Sequence, residues 1–493
     1  MTVNPLAPGW LAHPDDANAL ADAVWPRHSE RTAEGVVALA GAAATELARE
    51  FGTPLYVVDE ADARERAAEV KAAFDRAFEG VGSRAHVYYA GKAFLSIAVA
   101  RWVTAAGLNI DVCSGGELAV ALAAGVDPAR LGFHGNNKSL AEIDRGVEVG
   151  VGAIVLDSVV EIERVARAAE RHDRVQAVRL RINSGVHAST HEFLATAHED
   201  QKFGVPLAEV PEIVALIRSH PSLRFLGLHS HIGSQIFESD GFAEAARRLL
   251  AVHAELLAGG EVPELNLGGG FGIAYTGADE VTPIATIAWE LARVVAEECA
   301  SLGIPVPEVA VEPGRVIIGP STVTLYEVGT VKDVTVSVAG SAATAVRKYV
   351  SVDGGMSDNI RAALYQADYS VRIVNRVSDA APALVRIAGK HCESGDIVVR
   401  ADYLPGDVEP GDLVAVPATG AYCWSLANNY NHLGRPAVVA VRDGIARVIV
   451  RRETEDDLLA RDMGALELGA KVISDLRRDA SADDRPGHRN GDK

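Results

Sequence analysis

The chain has 493 residues, 48% of them hydrophobic and 5% aromatic, enough for roughly two to four ordinary domains with a large core. Lys and Arg number 47 against 67 Asp and Glu, and the net charge of −20 repels polyphosphates, which argues against nucleic acid as a partner and leaves any anionic ligand to local groups. Cys113, Cys299, Cys392 and Cys423 are too scattered for a disulfide scaffold or a C-x-x-C metal knuckle, no apolar run reaches the ~20 residues of a membrane span, and Met1 to Trp10 lacks a basic-then-apolar leader, so a cytoplasmic protein without membrane attachment is expected.

Residues 1–34 mix Pro5, Pro8, Pro14 and Pro26 with Trp10 and Trp25 in no sustained period, and read as an irregular arm. The strand-like stretches GVVALAG (35–41) and LYVVD (55–59) place residues 35–59 in a sheet domain completed by the far end of the chain. Residues 60–320 form a different unit. Within it, from Ala85 to Gly314, short apolar strands alternate with amphipathic helical stretches, the pattern of βα units around a parallel sheet. Eight strands are predicted: AHVYYA (85–90), NIDVC (109–113), LGFH (131–134), AIVLD (153–157), AVRLRIN (177–183), FLGLHSHI (225–232), ELNLGGG (264–270) and EVAVEP (308–313). Helices are expected between them, as over Leu95 to Ala106, Glu117 to Ala124, Val159 to His172, Phe242 to Leu257 and Ile287 to Leu302. That size matches a (β/α)8 TIM barrel of ~250 residues, with an open doubly wound sheet as the competing fold. Lys92, Asp111, His134, Asp157, Arg181, His231, the glycines 268–270 and Glu312 lie at or just past successive strand ends. They meet at one mouth only if the sheet closes, which favours the barrel.

Residues 321–475 carry short alternating runs bounded by Gly, Asp and Pro, such as TLYEVGTVKDVTV, RIAGKHCESGDIVV and DLVAVPATGAY, and read as a second, mostly antiparallel β-sheet domain. Within it SVAGSAATAVRK (337–348) is Ala- and Gly-rich and reads as an exposed loop. Residues 476–493 are charged with almost nothing apolar, the composition of a disordered tail.

Several residues at these places can carry chemistry. Lys92, flanked by apolar residues after a buried strand, would be desolvated, and a desolvated amine is a nucleophile toward a carbonyl; a lysine snorkelling at the rim is the plainer reading. Three glycines in LNLGGGFGIAY let backbone N–H groups approach a phosphate, at the barrel loops where such sites usually occur, although a tight turn explains them almost as well. Glu312 in VEPGR could keep a ring nitrogen protonated or simply pair with Arg315. In HSHIGSQ, period two sends His229 and His231 to the same interior side; His231 could stack on a flat cofactor, or the pair could bind metal, with His187, His191 and Glu192 as further ligands. Cys392 beside Glu393 in HCESGD could deliver a proton to a carbanion, and Arg361 and Tyr365, four apart on one helical face, suit a carboxylate.

The ordered series YAGKAF, DVCSGGE, HGNNKS, HSHIGSQ, LGGGFG, VEPGR, SVDGGMSDNIR, HCESGD and TGAY resembles the diaminopimelate decarboxylase branch of the alanine-racemase-like pyridoxal phosphate enzymes, from about Gly35 to about Leu459. The resemblance implies that Lys92 binds pyridoxal phosphate covalently, that His231 stacks on it, and that Glu312 pairs with its pyridine nitrogen. Asp111, Ser234, Gly269, Gly270, Gly314, Arg315 and Tyr422 would complete the cofactor site. It further implies that Arg315, Arg361, Tyr365 and Tyr422 bind substrate and Glu393 the distal ammonium, with Cys392 as proton donor and HCESGD reaching the partner's barrel mouth in a homodimer. The implied reaction is decarboxylation of meso-diaminopimelate to L-lysine, without metal. The alternatives are a decarboxylase or racemase for another basic amino acid such as ornithine or arginine, with Tyr422 as a racemase base, a metal-dependent barrel hydrolase using His229 and His231, and a catalytically silent homologue.

Overall fold

The structure, a computed structural model, describes residues 4–186, 202–340 and 342–465. The expected tail at 476–493, and His187, His191 and Glu192, lie outside the described residues.

The eight predicted strands are present: β1 (Ala85–Ala90), β2 (Asn109–Val112), β3 (Leu131–Phe133), β4 (Ala153–Leu156), β5 (Gln176–Asn183), β6 (Leu223–His229), β7 (Glu264–Asn266) and β8 (Glu308–Val311). Each is parallel to its neighbours, and β8 pairs back with β1, so the sheet closes into a barrel. Runs such as AIVL in β4 are buried at every position because the barrel interior takes one face and a helix the other. The last two strands end before their glycine and proline runs, which lie beyond the ladder.

Helices follow the first seven strands, at Ile97–Ala105, Gly115–Ala123, Leu140–Val149, Val159–Arg171, Val210–Ser219, Asp240–Leu257 and Ile284–Leu302. Local sequence fixes their starts: Ser96, Ser114 and Ser139 each accept a backbone N–H in the first turn, and Ser139 forms a reciprocal capping box with Glu142. After β8 the helix is only Arg315–Ile318 before the chain leaves for the second domain. The 20-residue helix Glu60–Glu79, which precedes β1, packs against Ile284–Leu302 and Arg315–Ile318 and covers the barrel there.

The second domain is built on the long strand Thr322–Ser337. It pairs antiparallel with Leu55–Asp59 on one side and Leu413–Pro417 on the other, and its far half pairs with Thr344–Val352. Most pairings in this sheet are antiparallel; Leu55–Asp59 with Ala437–Arg442 and Thr344–Val352 with Pro382–Ala388 are parallel. LYVVD thus lies within this sheet.

Two expectations need correction. Val37–Leu39 pairs with Ser29–Arg31 from the arm and with Ala42–Ala43, forming a separate three-stranded sheet bonded to the second domain by Val37 N–H to the Val374 carbonyl. Residues 337–348 are not a long loop, because Ser337 pairs with Thr344 and the strands continue to either side, leaving only a turn. The arm is mostly turns, but it is packed: Val24 and Trp25 are buried.

Candidate active site

The strand ends open into a cavity of about 910 Å³ lined by the barrel mouth and the second domain. Lys92, His231, Ser234, Gly270, Glu312, Gly314, Arg315, Arg361, Tyr365 and Tyr422 all line it. Asp111 and Gly269 lie just behind that wall, and Cys392 and Glu393 are elsewhere.

Lys92 sits on the short turn Gly91–Ala93 after β1. The turn presses against β2, where a Cβ on Gly91 would come 2.8 Å from the Asp111 carbonyl oxygen. Gly91 and Ala93 are buried, yet Lys92 itself is exposed to the cavity and makes no hydrogen bond or ion pair among the described residues. The expected desolvation of its amine is therefore corrected: the apolar flanks pack inward while the flexible stem reaches open space.

Glu312 follows β8 and is buried. Its Oε1 receives the Asn266 Nδ2–H at 2.9 Å and lies 3.0 Å from His229 Nε2 and 3.5 Å from His134 Nε2. Burial alone would raise this carboxyl, but the His134 and His229 rings outweigh it and hold Glu312 well below the ordinary carboxylate range. Burial lowers both imidazoles to about 4, so near neutral pH they are neutral. Behind them Asp111 Oδ1 is 3.0 Å from His134 Nε2, and burial followed by the Glu312 charge pushes Asp111 well above its usual value. Two neighbouring carboxyls are thus driven apart, with Glu312 ionised and Asp111 inclined to keep a proton. Gly132 in β3 makes room for this, since a Cβ there would fall 2.2 Å from Asp111 Oδ1. Arg315 is not the partner of Glu312; it donates to Ser234 Oγ at 2.7 Å and to the Tyr275 hydroxyl, and lies 4.7 Å over the Tyr422 ring.

The two histidines of HSHIGSQ part company. The strand ends at His229, so period two does not carry on: His229 is buried behind Glu312, whereas His231 lines the cavity, with Nδ1 accepting the Gly269 N–H at 3.3 Å. His134, His229 and Glu312 do present donor atoms within 4.8 Å of one another, a spacing a cation could bridge, but His231 is not among them. In the glycine turn, Cβ atoms on Gly268, Gly269 and Gly270 would meet the carbonyl oxygens of Ser230, Glu312 and Gly233 at 2.4, 2.1 and 2.4 Å. These glycines let backbone thread between the extensions of β6 and β8. A Cβ on Gly314 would come 3.0 Å from the Ala90 carbonyl oxygen, and its backbone leads into the helix Arg315–Ile318.

From the second domain, Arg361 and Tyr365 lie on one helix, Arg361–Tyr365. Arg361 is buried, donates to the Tyr369 hydroxyl and lies 4.6 Å over the Tyr275 ring, while Tyr365 is exposed. Tyr422 has φ of 64°, and its N–H donates to the Ala93 carbonyl at 2.9 Å, tying TGAY to the lysine turn.

Sequence reasoning missed Asn266 and Tyr275, the residues that fix Glu312 and Arg315. Asn266 ends a buried strand and Tyr275 lies five residues past the glycines, and neither carries a motif of its own. HCESGD lies apart. His391 is buried, with Nδ1 2.8 Å from Asp396 Oδ2 and its ring stacked on Tyr430, which makes the turn a firm platform. Cys392 and Glu393 on it are exposed, outside this chain's own cavity.

The donor set suits pyridoxal phosphate. An amine faces the cavity, an ionised carboxylate has Oε2 without a partner among the described residues, and backbone turns too tight for side chains suit a phosphate. Residues 64–319 match the family model for the pyridoxal binding domain of pyridoxal-dependent decarboxylases. The diaminopimelate decarboxylase of Mycobacterium tuberculosis H37Rv is 54% identical over 90% of this chain and 98% of its own length, and that of Corynebacterium efficiens 46% identical over 93% and 98%. Among solved structures, the M. jannaschii diaminopimelate decarboxylase in co-complex with L-lysine superposes with a TM-score of 0.81 at 32% identity, covering 88% of this chain and 97% of that one. With the barrel, the cavity and matches over nine-tenths of its length, this chain belongs to the diaminopimelate decarboxylase family.

Proposed function

We propose that this cavity decarboxylates meso-2,6-diaminopimelate to L-lysine and CO2 on pyridoxal phosphate held by Lys92, with each site completed by a second copy of the chain. Family membership supports the reaction and the cofactor, and the observation that carries the residue assignment is Glu312: an ionised, buried carboxylate in the wall of the cavity that an exposed lysine amine enters.

When bound, pyridoxal phosphate supplies an electron sink for the carbon–carbon bond that breaks. Glu312 would pair with the ring nitrogen, and Asn266 keeps the carboxylate aimed by donating to Oε1, with His229 and His134 packed beside it. His231 supports the ring, and Asp111 acts from behind through His134. The backbone N–H groups of Gly269, Gly270 and Gly314, with Ser234, hold the phosphate. Arg315, Arg361, Tyr365 and Tyr422 orient the substrate, Arg315 and Arg361 by its carboxylate. Lys92 Nζ would hold the cofactor covalently. Cys392 of the partner subunit would give its Sγ proton to the substrate Cα in place of the departed CO2, and Glu393 of the partner subunit would receive the distal ammonium.

Assay of CO2 release and product identity with meso-diaminopimelate, ornithine and arginine tests the substrate. CO2 and L-lysine from meso-diaminopimelate alone are expected; comparable release from ornithine or arginine, or racemised amino acid without CO2, would contradict it.

Exposure of Cys392 and Glu393 on a firm turn outside their own cavity supports a shared site in a homodimer. Mixing inactive Lys92→Ala and Cys392→Ala proteins under subunit exchange is then expected to restore about a quarter of wild-type activity, since half the dimers would carry one intact site. No recovery despite proven exchange would place Cys392 with its own Lys92. Among the described residues no helix is long and apolar enough to cross a membrane, and the four cysteines are free, which supports a cytoplasmic setting.

A further inference from the structure

The irregular arm does not merely cover the second domain. Trp10 on it lines the same cavity as Lys92 and Glu312, and is half-buried there. The arm is fastened on both sides of this residue. Before it, Asn4 Nδ2–H donates to the Val346 carbonyl at 3.1 Å. After it, the His13 ring lies 4.9 Å from that of Tyr403, Ala17 is buried, Asn18 exchanges hydrogen bonds with Ser378 at 2.9 and 3.2 Å, and the Ala19 carbonyl accepts from Arg372 Nε at 2.8 Å. A segment with so many long-range fastenings holds its tryptophan in place at the cavity instead of letting it sweep through solvent.

Those fastenings also say which end of the cavity Trp10 serves. Tyr403, beneath His13, belongs to the strand Ile397–Pro405, which packs against the helix carrying Arg361 and Tyr365. Arg400 of the same strand donates to the Gln366 carbonyl at 2.8 Å, one residue past Tyr365. The arm is therefore fastened beside the strand that packs on the helix carrying Arg361 and Tyr365. Tyr365 and Leu426, which also line the cavity, expose much of their apolar surface.

We infer that Trp10 is a specificity-determining residue whose indole forms an apolar wall against the methylene chain of a long diamino dicarboxylate, at the end of the substrate remote from Lys92. This rests on the substrate reading above and deepens it. An indole offers a broad rigid face with little rotamer entropy to lose, and removing it takes apolar contact from bound substrate without touching the amine, the carboxylate floor or the phosphate turn. Such contact is made equally in the ground and transition states, so its loss appears in KM and not in kcat.

The test uses the full-length holoenzyme. Wild-type turnover of meso-diaminopimelate is measured first, and its absence would sink the parent reading and not this one. Given that turnover, Trp10→Ala is expected to raise KM roughly tenfold, the scale of losing one or two methylene contacts, with kcat within about twofold and with cofactor affinity unchanged. Trp10→Phe is expected to restore most of the KM, and L-lysine binding, measured by equilibrium dialysis, to weaken in parallel with KM. An unchanged KM in Trp10→Ala overturns the inference, as does a fall in kcat accompanied by cofactor loss. Dimer dissociation in sedimentation at unaltered KM also overturns it, and would assign the indole to the subunit contact. Should the alanine variant not fold, Trp10→Leu decides by the same readout, because a smaller apolar side chain still has to raise KM.

Discussion

Lys92→Ala is expected to lower kcat by at least about 10³-fold and to abolish the visible absorbance of covalently held cofactor, while leaving the fold intact. The separation of effects follows from the position of the side chain. Lys92 is exposed to the cavity and makes no hydrogen bond or ion pair among the described residues, so its truncation opens no core void and strands no buried partner. The buried neighbours Gly91 and Ala93 keep the turn in place, and the Tyr422 N–H still reaches the Ala93 carbonyl. The glycine turns and Glu312 are unaltered, so pyridoxal phosphate should still bind, more weakly and reversibly. Thermal unfolding of the cofactor-free variant should match that of cofactor-free wild type. Retained turnover with retained absorbance would remove Lys92 from its role.

Glu312→Gln carries the second large effect, a fall in kcat of roughly 10²–10³-fold. The substitution keeps the shape and removes the charge. Asn266 Nδ2 donates to Oε1 and requires an acceptor there, so the amide oxygen takes that place. The amide NH2 then faces the cavity, presenting a donor where the carboxylate accepts, and a protonated ring nitrogen is no longer stabilised. Two readouts separate this from a general loss of structure. The pH dependence of the cofactor absorbance should move in the variant, because the group that held the ring proton is gone. In wild type, by contrast, Glu312 lies well below the ordinary carboxylate range, so loss of its charge should not shape the neutral-pH profile, and activity should decline only as strong acid is approached. A kcat within twofold of wild type would contradict the assignment.

The barrel was legible because each strand is a short, nearly continuous apolar run and each helix a periodic one. AHVYYA was bounded to the residue, and LYVVD betrayed its place in the other domain by the same strand character. The turn between Ser337 and Thr344 was not legible as a tight hairpin, since its Ala and Gly residues carry weak β signals and the strands to either side are joined by backbone pairing. The sites of Lys92, His231 and Glu312 could be guessed from strand ends, but their surroundings could not. Asn266 and His229 reach Glu312 only because β6, β7 and β8 are adjacent in the barrel, and Arg179 meets Tyr88 and Glu264 across its interior. Such contacts join residues far apart in the chain. Cys392 is a different case: the thiol beside Glu393 could be singled out from HCESGD, but this chain's own cavity does not contain it.

Treatment of the holoprotein with borohydride, followed by peptide mapping, tests the central assignment most directly. A single reduced pyridoxyl adduct on Lys92 is predicted, with activity lost in proportion to its formation. An adduct confined to another lysine, or full activity after complete reduction, would contradict it.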